Sequence, residues 1–412
     1  MRILIIGEGG RESALAVKLQ NDPRISKMFF ANGNATTDVI GQNVNVPDIK
    51  DLRDFAIKEK VDLTIVGPEA PLVAGIRDEF KKHDLKVFGP NQKVASLEGS
   101  KAFSKKFMQT YGIKTATAKV FDSYNEAVSY VQDHEYPLVV KASGLAGGKG
   151  VVICDTREEA EATIHDFMIK RIFGDAGIRL VIEEFLDGFE ASIIAFSNGN
   201  KLFPCIAAKD YKKAGNGDTG HNTGGMGCVA PSPEFTSEHY ADFEKNILET
   251  TVAGLKAEGF NFKGIIFFGL MVTKKGTYLL EYNMRFGDPE TQVLMALMEN
   301  NLLDVIQDCM EGKDIELKFR DEKAVCLVMC SGGYPRNIET GFEIVGEDRL
   351  KYSTLLYAGA VRKGDKVVSN GGRVLNIVAT GATYEDARKK VYEDAGHVHF
   401  DYGFYREDIG KF

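Results

Sequence analysis

The chain has 412 residues, which leaves room for roughly two to four domains of about 100–200 residues each. Its 51 Lys and Arg against 59 Asp and Glu leave a net charge of −8, which does not favour nucleic-acid or membrane binding by bulk charge but leaves room for a local basic pocket. Six cysteines without a CxxC pair argue against a zinc or disulfide framework, and no apolar run approaches the roughly 18 residues of a membrane span, so a cytoplasmic protein with reduced thiols is expected.

The first hundred residues alternate strand and helix patterns. RILII (2–6), SKMFFA (26–31), DLTIV (62–66) and KVFG (86–89) read as strands, with helices over GEGGRESALAVKLQ, DIKDLRDFAIKEK and APLVAGIRDEFKKH. That rhythm predicts a parallel, doubly wound α/β domain ending near GPNQKVASLEGS. SKAFSKKFMQTYG (100–112) reads as a helix closed by Gly112, and Ser123 with Glu126 and Thr156 with Glu159 form capping boxes for two more helices. Between those helices lie a strand, the glycine-rich GLAGGKG (144–150) and another strand. RLVIEEFL (179–186) reads as a strand, and a hairpin is expected to turn at Asn198–Gly199. Residues 211–233 are too rich in glycine and polar groups for a core element and read as a long functional loop. A helix over 237–257, the hairpin GIIFFGLMVTKKGTYLLEYNMRF and a helix from about Glu290 to Met310 follow. The remainder is strand-rich, with Asn370–Gly371 as a hairpin turn between KVVS and RVLNIV and a closing helix over 383–395.

Several stretches carry chemistry. The glycines of GLAGGKG allow backbone N–H groups close to a ligand, and Lys149 adds charge. Gly150 follows that lysine and a strand follows the loop, so this is not a Walker A loop; it suits a lid over nucleotide phosphates, and a plain hairpin turn is the other reading. Lys141, just upstream, is a second candidate cation. VIEEFLDGFE (181–190) offers an apolar wall and strand backbone to an adenine, with Glu190 placed for a ribose hydroxyl; an exposed edge strand would read the same way. In LEYNMRFGDPE (280–290), a period of two sets Leu280, Tyr282, Met284 and Phe286 on one face and Glu281, Asn283 and Arg285 on the other. Carboxylate and amide oxygens two residues apart suit a hard cation, and Arg285 would neutralise a transferring phosphoryl group. A solvated face with a cross-strand ion pair shows the same alternation. GEGGRE (7–12) opens a helix and is placed to hold an anion, but Glu12 replaces the third glycine of a dinucleotide fingerprint, which disfavours a dehydrogenase. Glu69 in GPEAPL is placed to grip sugar hydroxyls, though a turn punctuated by Pro reads the same way, and His221 has no metal-binding neighbours in sequence.

GEGGRE, GPEAPL, LEGSKAF, KASGLAGGKGV, IEEFLDG, DTGHNTGGMG, LEYNMRFGDPETQ, NGGRVLN and YREDIG occur in the order seen in one family. From residue 1 to about 410 the chain resembles the glycinamide ribonucleotide synthetases, the phosphoribosylamine–glycine ligases of the ATP-grasp superfamily. The resemblance implies a Rossmann-like N-domain (1–99), an ATP-grasp unit (100–319) with a mobile lid over about 116–184, and a small β-rich C-terminal domain (320–412). It implies a purine-biosynthetic reaction in which ATP, glycine and 5-phosphoribosylamine give ADP, phosphate and glycinamide ribonucleotide through a glycyl phosphate. Glu281 and Asn283 then resemble ligands of Mg²⁺ or Mn²⁺, Lys101 and Lys141 the cations on the ATP phosphates, and Arg285 the charge stabiliser. Gly144, Gly147, Gly148, Lys149 and Gly150 resemble the lid. Glu183, Glu184, Phe185 and Leu186 resemble the adenine strand, with Glu190 on the ribose. Gly9, Gly10, Arg11 and Glu69 resemble the phosphoribosylamine site, and Asp210, Lys212, Asn222, Thr223, Gly224, Gly225 and Met226 the wall around acceptor and glycine. The implied partners are these small molecules, with neither nucleic acid nor membrane, and a transient contact with the upstream amidotransferase. Ser13 stands where the family has His in GREHA, Gly147 where the loop has Ala, Glu8 where Asn is usual and His221 where Pro often precedes NTGGMG. The strand FFGLMV (267–272) lacks the additional acid of many ATP-grasp relatives.

Overall fold

Ile3, Leu4 and Ile5 are apolar in succession because their strand is covered on both faces, as the centre of a parallel sheet requires. The computed structural model describes residues 1–412 and places Arg2–Gly7 in the middle of a five-stranded parallel sheet. The order across that sheet is Gln42–Val44, Lys27–Asn32, Arg2–Gly7, Leu63–Val66, Val87–Phe88. The chain leaves Arg2–Gly7 and Leu63–Val66 at adjacent ends of paired strands, Ile6 lying opposite Val66. GEGGRE and GPEAPL, sixty residues apart in sequence, therefore meet at the topological switch point of the sheet. They touch closely enough that a β-carbon on Gly67 would stand 1.6 Å from Glu12 Oε1, so position 67 has no room for a side chain.

The segment expected to form the lid is a four-stranded antiparallel sheet ordered Ala118–Phe121, Leu180–Glu184, Leu138–Ala142, Val151–Cys154. Helices Tyr124–Gln132 and Arg157–Met168 bury Phe121, Val131, Ile164 and Phe167 on one side of it. The pairings Val139↔Ile153, Val139↔Glu183 and Lys141↔Val151 put those five side chains on the opposite side, toward the central unit. Beneath lies a second antiparallel sheet, ordered Leu202–Pro204, Phe189–Asn198, Lys263–Thr273, Gly276–Asn283. A third sheet joins Lys209–Asp210 and Gly227–Ala230 to Lys323–Cys330, Arg373–Gly381 and Thr354–Tyr357. The C-terminal sheet thus draws two strands from the segment upstream, and helix Tyr384–Ala395 packs on it. No helix is long and apolar enough to cross a membrane.

Four expectations need correction. The strand Gly276–Asn283 carries a bulge: Gly269 lies opposite Glu281 but Leu270 opposite Leu279, so Leu280 is the extra residue. Leu279 takes the fully buried position and Leu280 turns out of the core, while Tyr282, Met284 and Phe286 remain the apolar back. Asn370–Gly371 makes no hairpin, because neither residue has the positive φ that a primed turn needs. Lys366–Ser369 pairs instead with Ala360–Lys363, and the chain crosses itself where Asn370 N–H donates to Gly359 O at 2.7 Å. Residues 211–233 are not one structureless loop: Lys213–Gly215 and Thr219–Asn222 form a ribbon, and Cys228, Val229 and Ala230 are core residues of a central strand. The helix expected from Glu290 to Met310 is two, Glu290–Leu297 and Leu302–Glu311. Met298 is extended and Asn301 caps the second helix by accepting from Asp304 N–H, an option a capping asparagine offers against continued helix.

Candidate active site

Between the lid and the central sheet lies a cleft of about 630 Å³. Val139, Val151 and Ile153 of the lid face one side; Phe185 and Leu186 form the connecting strand end; Met271 and Leu280 form the floor. Leu280 reaches that floor only because of the bulge. An apolar slot with strand backbone at its edge is the usual lining for a flat heterocycle. Lys141, Gly148, Lys149, Glu183, Glu184 and Glu190 bring the polar groups, and the ribbon closes the far side with Lys213, Gly220, His221 and Asn222. Gly147 and Gly148 have positive φ and nothing within reach of an added β-carbon, so the loop tip stands clear of the body.

Past the slot, charges converge on Glu281. Burial would raise its carboxyl, but Lys101, Lys212, Lys141 and Arg285 together hold it below the usual carboxylate range. Asn283 Oδ1 accepts only a 3.3 Å bond from Arg285 Nη2. Directly opposite Glu281 is Gly269, so the neighbouring strand contributes no side chain there. Two hard oxygen donors side by side, one of them kept ionised, fit a hard divalent cation whose other ligands are phosphates and water. No group of three or more His, Cys, Asp or Glu side chains forms a ready-made metal cage. Arg285 is itself held by Glu98 at 3.2 Å and Glu69 at 3.5 Å. Glu98, in turn, accepts from Met284 N–H at 2.7 Å, which pins the strand end between Asn283 and Arg285. Lys141 pairs with Glu183 at 2.7 Å, and Lys212 pairs with Glu190.

The third group of residues lies where the N-domain meets the other two. Gly9 N–H donates to Glu12 Oε2 at 2.7 Å, and Arg11 Nη1 donates to Phe286 O at 2.9 Å, so the first loop is tied to the strand end that carries Arg285. Asp210 lies beyond, its Oδ1 buried without a hydrogen-bond partner. Burial and the facing Glu290 carboxylate push Asp210 well above the usual carboxylate range. Asn222 is exposed and Thr223 half-buried, and Thr223 Oγ1 donates to Lys212 O at 2.8 Å. Met226 is wholly buried against Cys330, so its side chain holds the loop from behind rather than lining the open space expected for the acceptor.

Residues 1–98 match the N domain of phosphoribosylglycinamide synthetase, 99–291 its ATP-grasp (A) domain and 324–412 its C domain. The chain belongs to the phosphoribosylglycinamide synthetase family. It is an ATP-grasp ligase of purine biosynthesis. A phosphoribosylamine–glycine ligase of Fusobacterium nucleatum is 47% identical over 100% of this chain and 98% of its own length. The crystal structure of the Thermotoga maritima phosphoribosylamine–glycine ligase superposes with a TM-score of 0.86 at 36% identity, covering 99% of this chain and 100% of the other. A Campylobacter jejuni biotin carboxylase shares the fold, with a TM-score of 0.75 at 14% identity over 97% of this chain and 92% of its own. Members of this superfamily use ATP with divalent metal ions.

Two family motifs gain a physical role from the C-terminal domain. Arg373, in NGGRVLN, donates to Gly224 O and Asp288 O, each at 2.6 Å, and so fixes the loop Asn222–Met226 against the RFGDPE turn. Arg406, in YREDIG, is 2% exposed; it donates to Lys213 O and Asp218, both at 2.9 Å, and to Asp408. Glu407 N–H adds a bond to Asn216 Oδ1, so the C-terminal tail clamps the ribbon that roofs the cleft. Neither arginine, nor Glu98, Asp288 or Glu290, follows from local pattern. Their only signal in sequence is that each lies inside a family motif. Arg406→Gln is expected to cost about 2 kcal/mol of stability, from lost charged hydrogen bonds, and to raise KM for ATP more than KM for glycine. Urea unfolding with initial-rate kinetics checks both.

Proposed function

We propose that the cleft joins glycine to 5-phosphoribosylamine in two steps, with glycyl phosphate as the intermediate. The glycine carboxylate attacks the terminal phosphorus of ATP and ADP leaves; the acceptor amine then attacks the acyl carbon and expels phosphate, giving glycinamide ribonucleotide. The convergence of Lys101, Lys141, Lys212 and Arg285 on one carboxylate, Glu281, carries this reading. Such chemistry needs no protein nucleophile, only reactants held in line and fixed charge where charge develops.

In this reading Lys101 and Lys141 hold the ATP phosphates, and Arg285 faces the phosphoryl group in transit. The base lies against Glu184, Phe185 and Leu186, with Glu190 toward the ribose. Glu281 and Asn283 hold Mg²⁺ or Mn²⁺, which supplies positive charge against the phosphates. The loop Gly144–Gly150 closes over the site and keeps water from the acyl phosphate. Gly9, Gly10, Arg11 and Glu69 receive phosphoribosylamine, while Asp210, Lys212 and the loop Asn222–Met226 border acceptor and glycine. The division into 1–99, 100–319 and 320–412, a cytoplasmic location and a transient contact with the amidotransferase that makes the unstable amine belong to the same proposal.

ADP release that requires glycine and freshly generated phosphoribosylamine together is the expected result. Turnover with bicarbonate or formate in their place would overturn the substrate assignment. ATP with Mg²⁺ is expected to raise the melting temperature, by mass action worth about 2.7 kcal/mol at a hundred times Kd. No shift at millimolar ATP counts against the nucleotide site.

A further inference from the structure

Lys105 lies one helical turn beyond Lys101 on helix Lys101–Thr110, yet it is almost wholly buried. We propose that Lys105 is a positioning residue for the nucleotide: it locks Glu183, which orients Lys141, and it links both to the strand that carries Glu281 and Asn283.

Glu183 stands between two lysines and gives one oxygen to each, Oε2 to Lys141 at 2.7 Å and Oε1 to Lys105 at 2.9 Å. The side chains of Lys105 and Glu183 are each 3% exposed, so no water substitutes for either partner. With only Lys141 opposite, the carboxylate would be free to turn about its last torsion, which is broad and roughly two-fold. With Lys105 on the second oxygen it has one orientation, and so does the ammonium of Lys141. Lys105 also donates to Thr115 Oγ1 at 2.7 Å, and that hydroxyl donates to Leu279 O at 2.6 Å. Leu279 is the residue before the bulge and two before Glu281. An unbroken polar chain therefore runs from the lid lysine to the strand bearing the proposed metal ligands.

A second contact fixes the same two bodies. Lys101 N–H donates to Ser143 O at 2.7 Å, and Ala102 N–H to Ser143 Oγ at 3.1 Å. The base of the lid is thus tied to the helix that carries both lysines, and the exposed loop tip beyond Ser143 is left to move. Burying an ammonium is costly, and an apolar side chain would fill the same space at lower cost. A charge retained there is explained by what it orients.

The inference rests on the reading that Lys141 touches the ATP phosphates, and the test separates the two. Lys105→Met and Thr115→Val are each combined with Lys141→Met, and KM for ATP and for glycine are measured with kcat. Lys105→Met is expected to raise KM for ATP roughly tenfold and leave KM for glycine unchanged. The double variant Lys105→Met/Lys141→Met is expected to be no worse than Lys141→Met alone, because Lys105 acts through Lys141. Additive losses, or equal rises in both KM values, would overturn the inference and leave Lys105 a structural residue. If Lys105→Met does not fold, Thr115→Val alone decides: it keeps the ion pairs, and ATP kinetics that do not change overturn the link to Leu279. Lys141→Met without effect on ATP kinetics overturns the reading of the cleft instead.

Discussion

Glu281→Gln is expected to lower kcat at least a hundredfold while the fold and nucleotide binding survive. The substitution keeps size and shape and removes one negative charge. That charge is the one on which Lys101, Lys212, Lys141 and Arg285 converge, and it is the stronger of the two oxygen donors on that face. Without it, the remaining donor is Asn283, a neutral amide. Charge against the transferring phosphoryl group is worth roughly a hundred- to a thousandfold when one donor is lost. The surrounding cations remain and lose their internal competitor, so the triphosphate itself still binds. The expected pattern is a thermal shift with ATP in the presence of a chelator equal to or larger than that of the parent chain, no further shift on adding Mg²⁺, and almost no ADP release. Turnover close to that of the parent chain removes Glu281 from the mechanism. Loss of the chelator-insensitive shift shows instead that the substitution damaged the cleft, which Asn283→Ala, at the same face, distinguishes.

Those three residues were legible because alternation survives where the strand is regular. Glu281, Asn283 and Arg285 keep their common face, since the bulge precedes them. Leu280 was misplaced because a bulge is set by the partner strand, where Gly269 and Leu270 sit opposite residues that are not consecutive. The glycine-rich loop and the doubly wound sheet were readable for the same reason as the face proposed to hold the metal: each follows from local residue spacing. Adjacent acids show the limit of that logic. Glu183 and Glu184 look alike in sequence, yet Glu183 is buried between two lysines while Glu184, at the rim of the cleft, accepts from Thr117 N–H at 2.7 Å. Arg373 and Arg406 reach loops 85 to 193 residues away in sequence, and apart from the family motifs that contain them nothing in their neighbourhoods marks them. The strand Gly227–Ala230 lay hidden in a glycine-rich stretch because its partners, Lys209–Asp210 and Lys323–Cys330, supply the burial that its own small residues do not announce.

Arg285→Met is expected to cost activity and stability together, with a signature in pH that separates them. Arg285 stands between Asn283 and two carboxylates, Glu98 and Glu69, and its own side chain is 19% exposed. Removing it takes away the fixed positive charge assigned to the transferred phosphoryl group, so kcat is expected to fall about a hundred- to a thousandfold. It also leaves Glu98 buried with only the Met284 N–H as a partner. Breaking one side of a buried pair costs about 3 kcal/mol. In the parent chain burial already pushes Glu98 above the usual carboxylate range, with Arg285 opposing that rise; Glu69 is pushed up by burial but held below its usual value chiefly by Arg285. The variant raises both. A carboxyl whose folded pKa lies above its unfolded one binds more protons in the folded state, so stability falls as pH rises from the unfolded value through the folded value. A carboxyl held low does the opposite: its contribution is present above the unfolded pKa and lost on acidification. Losing Arg285 strengthens the first effect and removes the second, so the stability gap between variant and parent is expected to widen from about pH 4 toward neutrality. Urea unfolding at several pH values measures it. A gap that stays constant across that range means that Glu98 and Glu69 do not depend on Arg285 for their charge, and a variant with normal kcat means that the phosphoryl group is stabilised by the lysines alone.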